Sequence, residues 1–257
     1  MKLQKTSAAL IVAASLLLSA CASTGPVAGS GTDATGTAGT TATTGTAERG
    51  ASSTRNARDP FESFNRAMFS FNDTLDRVAL KPAAKAYQTV LPSFVQTGIG
   101  NFFGNIGDVW NAVNNLLQGK GTDGMSDIFR VGVNTVFGLG GVLDIATEAG
   151  MPKHQEDFGQ TLGTWGVKSG PYVVLPVFGP STLRDALATP VDVYGDPWGY
   201  VYPVNVRNTG TALRLVDKRA SVLDAGNLLE EASLDKYVFF RDAYLQRRAS
   251  QINSNED

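Results

Sequence analysis

A continuous helical seam of large apolar residues, spanning positions 61–78, constrains the fold more than any other feature of this sequence. Its members recur at alternating spacings of three and four, a pattern that an α-helix places on one face. They are Phe61, Phe64, Met68, Phe71, Leu75 and Val78. Asn65, Asn72 and Asp73 lie off the seam. The pattern predicts an amphipathic helix with one apolar and one polar side.

The ends of this helix also carry sequence signals. Asp59 followed by Pro60 and Glu62 has the form D-x-x-E, which predicts a helix capped by the Asp59 side chain. Pro82 predicts that the helix ends near position 80, because proline cannot continue the hydrogen-bonding pattern. Phe69 points roughly 100° away from the seam, so it needs a partner, either lipid or protein.

The rest of the chain predicts further helices and little sheet. An Asn- and Phe-rich helix is expected over 96–120, and the apolar run 131–143 suits a buried helix or an interfacial element. Helical spacing continues over 213–223, where Gly226 predicts a stop, and again over 234–251. A short strand is expected only at 172–175, followed by a helix capped by Ser181 or Thr182. The predicted fold class is therefore mostly α, with few or no strands.

The N-terminus has the layout of an exported lipoprotein. Lys2 and Lys5 precede an apolar run that is shorter than the roughly 18 residues of a membrane span. The run ends in LSAC, similar to a bacterial lipobox, whose cysteine becomes the lipidated N-terminus. Cys21 is the only cysteine in the chain. The sequence thus predicts a signal peptide over 1–20 and lipidation at Cys21; the alternative is a cysteine removed by another peptidase.

A Gly-, Ser-, Thr- and Ala-rich segment follows Cys21. It has no periodicity and almost no large apolar residue, so it cannot bury a core. Residues 21–55 are predicted to form a flexible tether with a root-mean-square span of roughly 30 Å. The folded domain is predicted over 56–252, and 253–257 as a disordered tail.

Several functional classes find no support in the composition. A formal net charge of −2 argues against nucleic-acid binding. His154 is the only histidine, and no nucleophile motif or second metal-binding His or Cys accompanies it. GLGGVL fails as a dinucleotide loop because Leu143 occupies the third glycine position. We therefore expect no catalytic residue, metal or cofactor, and read the glycines as a tight turn.

Five motifs, in this order along the chain, resemble the MlaA (VacJ) family of outer-membrane lipoproteins. They are DPFESFNRAMFSFND, GLGGVLDIA, EDFGQTLGTWGV, GPYVVLPVFGPSTLRD and DAYLQRR. The resemblance implies a helical, disc-like domain in the inner leaflet of the outer membrane, crossed by an amphipathic central channel. It also implies removal of mislocalised phospholipids from the outer leaflet, association with a trimeric porin, and delivery to a periplasmic lipid carrier protein.

Combined with the polarity pattern, the resemblance suggests residues that line or gate the channel. These are Asn65, Phe69, Phe71, Asn72, Asp73, Gly138, Gly140, Gly141 and Asp144. Two other interpretations stay open: a lipoprotein hydrolase acting on lipid or cell wall, which would depend on His154, and a passive structural lipoprotein.

Overall fold

The structure, a computed structural model, describes residues 59–253 apart from the side chains of residues 230–232. The predicted signal peptide, Cys21 and the tether lie outside the described residues, as do residues 254–257 of the tail. Ten α-helices and one two-stranded sheet make up the described part. The predicted mostly α class is confirmed.

The helices follow the sequence periodicity closely. They are α1 (Glu62–Leu75), α2 (Lys81–Val90), α3 (Ser93–Leu117), α4 (Gly121–Val136), α5 (Ile145–Glu148), α6 (Phe158–Thr164), α7 (Leu183–Gly195), α8 (Val204–Ser221), α9 (Leu223–Ala232) and α10 (Lys236–Asn253). A π-helical turn, Asp76–Leu80, joins α1 to α2, and a 3-10 turn, Pro197–Tyr200, precedes α8. Among residues 59–253, no helix is both long enough and apolar enough to pass through a bilayer.

The sheet is an antiparallel hairpin of β1 (Tyr172–Leu175) and β2 (Gly179–Thr182). The predicted strand is confirmed at its expected position, whereas β2 was not predicted because GPST lacks apolar alternation. Tyr172 pairs with Thr182, and Leu175 pairs with Gly179. The Thr182 hydroxyl accepts a hydrogen bond from the Asp185 backbone N–H at 3.3 Å, which confirms the predicted cap of α7.

The polarity of the domain is inverted relative to an ordinary soluble protein. Among the described residues, 16 polar or charged residues are buried against 11 hydrophobic ones, while 37 large hydrophobic residues are exposed. Exposed large apolar residues in this number are typical of a surface that contacts a membrane or a protein partner. The interior, by contrast, is held together by hydrogen bonds and ion pairs.

Helix α4 shows the inversion within one element. Its buried residues are Gly124, Asp127, Arg130 and Asn134. Its exposed large apolar residues include Met125, Ile128, Phe129 and Val136. The apolar run predicted over 131–143 is therefore only partly helical, and its apolar side chains face outward, as expected of an interfacial element.

The predicted cap of α1 is wrong. The helix begins at Glu62 without a side-chain cap, and the Asp59 carboxylate is buried instead. Its Oδ1 accepts a hydrogen bond from Asn65 Nδ2 at 2.8 Å, and its other oxygen accepts one from the Tyr237 hydroxyl. Glu62 pairs with Arg66 one turn later, at 2.8 Å. The Asp59 carboxylate therefore does not cap α1; it accepts hydrogen bonds in the interior, including one from Tyr237, which is distant in the chain.

Two predicted helix ends are also wrong. The helical path continues past Pro82, because the π-helical turn lets the Lys81 N–H donate to the Asp76 carbonyl five residues back. Gly226 lies inside α9, where its N–H donates to the Val222 carbonyl at 2.9 Å. The break between α8 and α9 falls at Val222, so no glycine is needed there.

Candidate functional site

A cavity of about 830 Å³ lies between α3, α8, α10 and the segment that precedes α6. We call it the polar cavity, because charged side chains reach it from all four elements. Its basic residues are Lys153, Arg214, Lys218, Arg247 and Arg248. Its acidic residues are Asp108, Glu156, Asp157 and Asp217. A space of this size, with converging charges, fits the general description of a ligand site.

One wall of the polar cavity is the glycine face of α3. Gly100, Gly104 and Gly107 share this face at spacings of four and three, and all three line the cavity. A Cβ on Gly104 would lie 2.8 Å from Lys153 Nζ, and one on Gly100 would lie 3.4 Å from Asp217 Oδ2. The glycines therefore leave room for charged groups of other elements to lie against the backbone of α3.

Most charges in the cavity are paired. Lys153 Nζ lies 3.3 Å from Asp108 Oδ2, and Arg248 binds Asp157 through two hydrogen bonds of 2.6 and 2.8 Å. Arg214 pairs with Asp196. These contacts fix the geometry of the wall and neutralise much of its charge.

Two cations are exceptions. In the part of the chain that the structure describes, no carboxylate lies within ion-pair distance of Lys218 or Arg247; Arg247 contacts only the Gln155 side chain, at 3.3 Å. Both side chains belong to exposed residues at the cavity. Cationic donors without a protein counter-ion are suited to an anionic ligand, above all a phosphate.

Behind the cavity lies a buried ion network centred on Arg130. Its guanidinium donates to both oxygens of Asp144 at 3.1 Å and to the Met151 carbonyl at 2.5 Å. Arg130 Nε also lies 3.6 Å from the fully buried Asp108. Burial raises the pKa of Asp108 from its ordinary value, although the charges of Lys153 and Arg130 act in the opposite direction. The network ties α3, α4 and the N-terminus of α5 together.

Asn65 and Asn72 do not line the polar cavity; Asn65 bonds to the free edge of β1, and Asn72 bonds to the end of β1 and the turn that follows it. Asn65 donates to the Tyr172 carbonyl at 3.0 Å and accepts from the Val174 N–H at 2.8 Å. Asn72, two turns later, donates to the Leu175 carbonyl at 2.8 Å and accepts from the Val177 N–H at 2.7 Å. Each side-chain amide thus supplies a donor and an acceptor to the hairpin, and at Asn65 helix α1 covers a strand edge that would otherwise be unpaired.

The other candidates on α1 are also placed away from the cavity. Phe69 packs edge-to-face on Tyr237, with ring centroids 5.8 Å apart, so its partner is protein. Phe71 lies on the exposed apolar seam, half exposed. Asp73 forms weak surface pairs with Arg77 at 3.8 Å and with Lys236 at 3.6 Å.

The glycine candidates form the turn that follows α4. Gly140 and Gly141 have positive φ angles of 74° and 95°, which confirms the predicted tight turn. A Cβ on Gly138 would lie 2.2 Å from the Leu143 carbonyl oxygen, so the turn also closes tightly on itself. Asp144 ends the turn and caps α5, accepting from the Thr147 N–H at 3.1 Å.

None of the nine residues proposed from the sequence lines the polar cavity. Their role in lining or gating a channel stays a prediction. The cavity residues were missed because they come from segments far apart in the chain. The spacing of Gly100, Gly104 and Gly107 on α3 was a sequence signal that other elements could approach this helix closely.

His154 lies in a polar setting. Its Nδ1 is 2.8 Å from Asp127 Oδ1, and its Nε2 is 3.8 Å from Asp123. Within the described residues, no hydroxyl or thiol contacts the ring, and no group of three His, Cys, Asp or Glu residues is placed to hold a metal ion.

The fold and the cavity define a class: a helical domain with an apolar exterior and a charged interior cavity. Residues 57–251 match the profile of the family described as MlaA lipoprotein, and the chain belongs to that family.

Named relatives and a solved structure agree with this. The chain is 38% identical over 204 residues to the "Intermembrane phospholipid transport system lipoprotein MlaA" of Escherichia coli K12, covering 77% of this chain and 80% of that protein. It is 33% identical over 216 residues to the protein of the same name from Haemophilus influenzae, covering 79% and 82%. A solved structure described as "Structural basis for maintenance of bacterial outer membrane lipid asymmetry" matches with a TM-score of 0.66 and 35% identity, covering 76% of this chain and 98% of that one.

Proposed function

We propose that this protein is an outer-membrane lipoprotein that removes mislocalised phospholipids from the outer leaflet and passes them through the polar cavity, maintaining lipid asymmetry. The observation that carries the proposal is a cavity that contains Lys218 and Arg247, two cations with no carboxylate in ion-pair distance among the described residues, in a domain that exposes many large apolar residues. The names of the relatives, which are phospholipid transport lipoproteins, support the same reading.

The physical reason is the two-part chemistry of a phospholipid. Its headgroup carries a phosphate, which cannot cross hydrocarbon without a polar path. Lys218 and Arg247 offer charge-assisted hydrogen bonds to that phosphate, while the paired charges around them replace part of its hydration. The exposed apolar surface meets acyl chains of the membrane. No bond is broken in such a passage, so no catalytic group is required.

The wider assembly follows from the resemblance and belongs to the same proposal. Cys21 carries the lipid anchor after removal of residues 1–20, residues 21–55 tether the domain, and 56–252 form it on the periplasmic side. Its partners are the inner leaflet of the outer membrane, a trimeric porin beside it, and a soluble periplasmic lipid carrier protein that receives the phospholipid.

The test measures outer-leaflet phospholipid in intact cells with an amine-reactive reagent that does not cross the membrane. A null strain should show more labelled phosphatidylethanolamine than wild type. The double variant Lys218→Glu, Arg247→Glu should resemble the null, because like charge repels the phosphate. The matched control is Lys168→Glu, an exposed lysine that does not line the cavity. An unchanged null would refute the proposed function.

A hydrolase is the second candidate, favoured by one observation: the contact of His154 with Asp127 resembles the base and its orienting carboxylate in acid–base catalysis. Such an enzyme needs the imidazole, whereas conduction does not. His154→Ala at normal protein level should therefore leave outer-leaflet phospholipid unchanged. A defect that matches the null would favour the hydrolase.

A further inference from the structure

A second cavity, lined almost wholly by apolar groups, lies between α3 and α8. Its volume is about 650 Å³, within the usual range for a site that holds a small organic ligand. Its walls include Phe94, Ile99 and Phe102 of α3, Val206 and Leu213 of α8, and Trp198 of the 3-10 turn. We call it the apolar groove.

The apolar groove and the polar cavity follow one another along the same two helices. On α3, the lining residues of the groove fall within 94–103 and those of the polar cavity within 100–111. On α8, they fall within 205–213 and 214–221. The change from apolar to charged lining takes place between neighbouring residues, Leu213 and Arg214. Each helix thus lines the apolar groove with its N-terminal part and the polar cavity with residues nearer its C-terminus.

Phe103 stands at the junction and lines both spaces. It is buried, and its ring packs edge-to-face on Trp198 with centroids 5.1 Å apart. The guanidinium carbon of Arg214 lies 5.9 Å from the same ring centroid. A single side chain therefore meets both an apolar aromatic group and a cation.

We propose that the apolar groove holds an acyl chain of a phospholipid whose headgroup occupies the polar cavity, with Phe103 as the wall between them. This inference rests on the proposed function and adds an acyl-chain site beside the proposed headgroup site. The groove extends over about ten residues of α3, or roughly 15 Å at 1.5 Å per residue, an elongated shape that suits a hydrocarbon chain.

Continuity with the polar cavity selects this occupant. An apolar peptide segment would fill the groove but bring no anion to Lys218 and Arg247 of the polar cavity. A free phosphate would satisfy those cations but leave the groove empty. A phospholipid is the ligand that places a phosphate and a hydrocarbon chain side by side, as these two spaces require.

The first experiment fills the groove. Thr209 lines it and is an exposed residue, so Thr209→Trp adds a large side chain inside the space. Thr211 on the same helix is exposed, points roughly 200° away and lines neither space, which makes Thr211→Trp the matched control.

The probe is a phospholipid with a photoactivatable group near the end of one acyl chain, supplied to membranes that contain the full-length lipoprotein. We expect crosslinks to peptides that contain 94–103 or 205–213. They should be lost in Thr209→Trp and retained in Thr211→Trp. Crosslinks that persist in Thr209→Trp would overturn the proposal.

The second experiment separates a transported lipid from lipid of the surrounding bilayer. Lys218→Glu changes the polar cavity and leaves the groove intact, so it stays decisive even if Thr209→Trp lowers the protein level. If one molecule spans both spaces, Lys218→Glu should reduce the groove crosslink severalfold, while Lys168→Glu should not. Equal crosslinking in Lys218→Glu and wild type would show that bilayer lipid fills the groove and would overturn the proposal.

Failure of this inference differs from failure of the proposed function. A null strain with raised outer-leaflet phospholipid, together with a wild-type protein that shows no groove crosslink, overturns the acyl-chain site alone. An unchanged null strain overturns the proposed function.

Discussion

The clearest prediction concerns Asn65 and Asn72, which each donate one hydrogen bond to the β1–β2 hairpin and accept one from it, under different burial. Asn65 is fully buried, and so are its strand partners Tyr172 and Val174. Asn72 is partly exposed and bonds to Val177, which is itself exposed. Replacing either asparagine by alanine removes two hydrogen bonds to the hairpin, and Asn65→Ala also removes a donor to the buried Asp59 carboxylate. The difference in stability therefore reports mainly on whether water can replace the lost partners.

The magnitudes follow from that difference. Asn65→Ala leaves the Tyr172 carbonyl and the Val174 N–H buried without partners. Each such group costs roughly 1–3 kcal/mol, so the free energy of unfolding should fall by about 2–6 kcal/mol. In Asn72→Ala, water can bind the groups that lose their partner, so we expect the free energy of unfolding to fall by only about 1 kcal/mol. Single domains have stabilities of roughly 5–15 kcal/mol, so the first variant should be severely destabilised.

Equilibrium unfolding of the full-length protein in detergent, followed by tryptophan fluorescence, gives both values. Hydrogen exchange should show faster opening at the Val174 amide in Asn65→Ala. Asn208→Ala, an exposed site on α8 with no side-chain hydrogen bond in the described structure, should change stability by less than about 0.5 kcal/mol. Equal falls in the free energy of unfolding for Asn65→Ala and Asn72→Ala would refute the argument, because burial would then have no effect on the cost of losing these hydrogen bonds.

Three further predictions concern Asp144, the turn after α4, and the anchor. Burial acts to raise the pKa of Asp144, but hydrogen bonds from Thr147 and Asn134 and the charge of Arg130 outweigh it and lower the pKa from 3.8 to about 2. Its carboxylate therefore stabilises the fold above about pH 4 and loses that effect as the pH falls towards 2, so Asp144→Asn should flatten acid unfolding in that interval. Gly138→Ala should lower the melting temperature more than Gly140→Ala. The first substitution adds a Cβ 2.2 Å from a backbone carbonyl oxygen, whereas the Cβ of the second meets open space and its only penalty is the positive φ, which costs roughly 1–2 kcal/mol of stability. A larger fall for Gly140→Ala would contradict this reasoning. Cys21→Ala should abolish metabolic labelling with a fatty acid, and label retained in the variant would refute the lipobox assignment.

Local features of the fold could be predicted because the signals are local. The seam of α1 and the strand Tyr172–Leu175 follow from spacing over a few residues. Helix ends were less accurate, because Pro82 is accommodated by a π-helical turn, whose Asp76 pairs with Arg219 of α8. The sequence gives no local sign of that turn.

The orientation of the amphipathic faces could not be predicted from periodicity alone. On α4, the spacing separates Met125 and Phe129 from Asp127 and Arg130, but it does not say which pair faces inward. In a soluble protein the charged face would be outside. Here the charged face is buried in a network of ion pairs, and the apolar face is exposed, because the surroundings of the domain are not water alone.

The asparagines of α1 suggested a polar path from the sequence, and in the structure their side chains bind the β1–β2 hairpin. An asparagine amide carries a donor and an acceptor group, so Asn65 can pair with the free edge of β1 and Asn72 with the end of β1 and the following turn. The proposed lipid site has a different requirement: cations that have no carboxylate partner in the described part of the chain, beside an apolar surface. Lys218 and Phe103 meet it only because α8 lies against α3, and no stretch of sequence contains both. The residues of the proposed lipid site are therefore brought together by the packing of two helices whose individual patterns are ordinary.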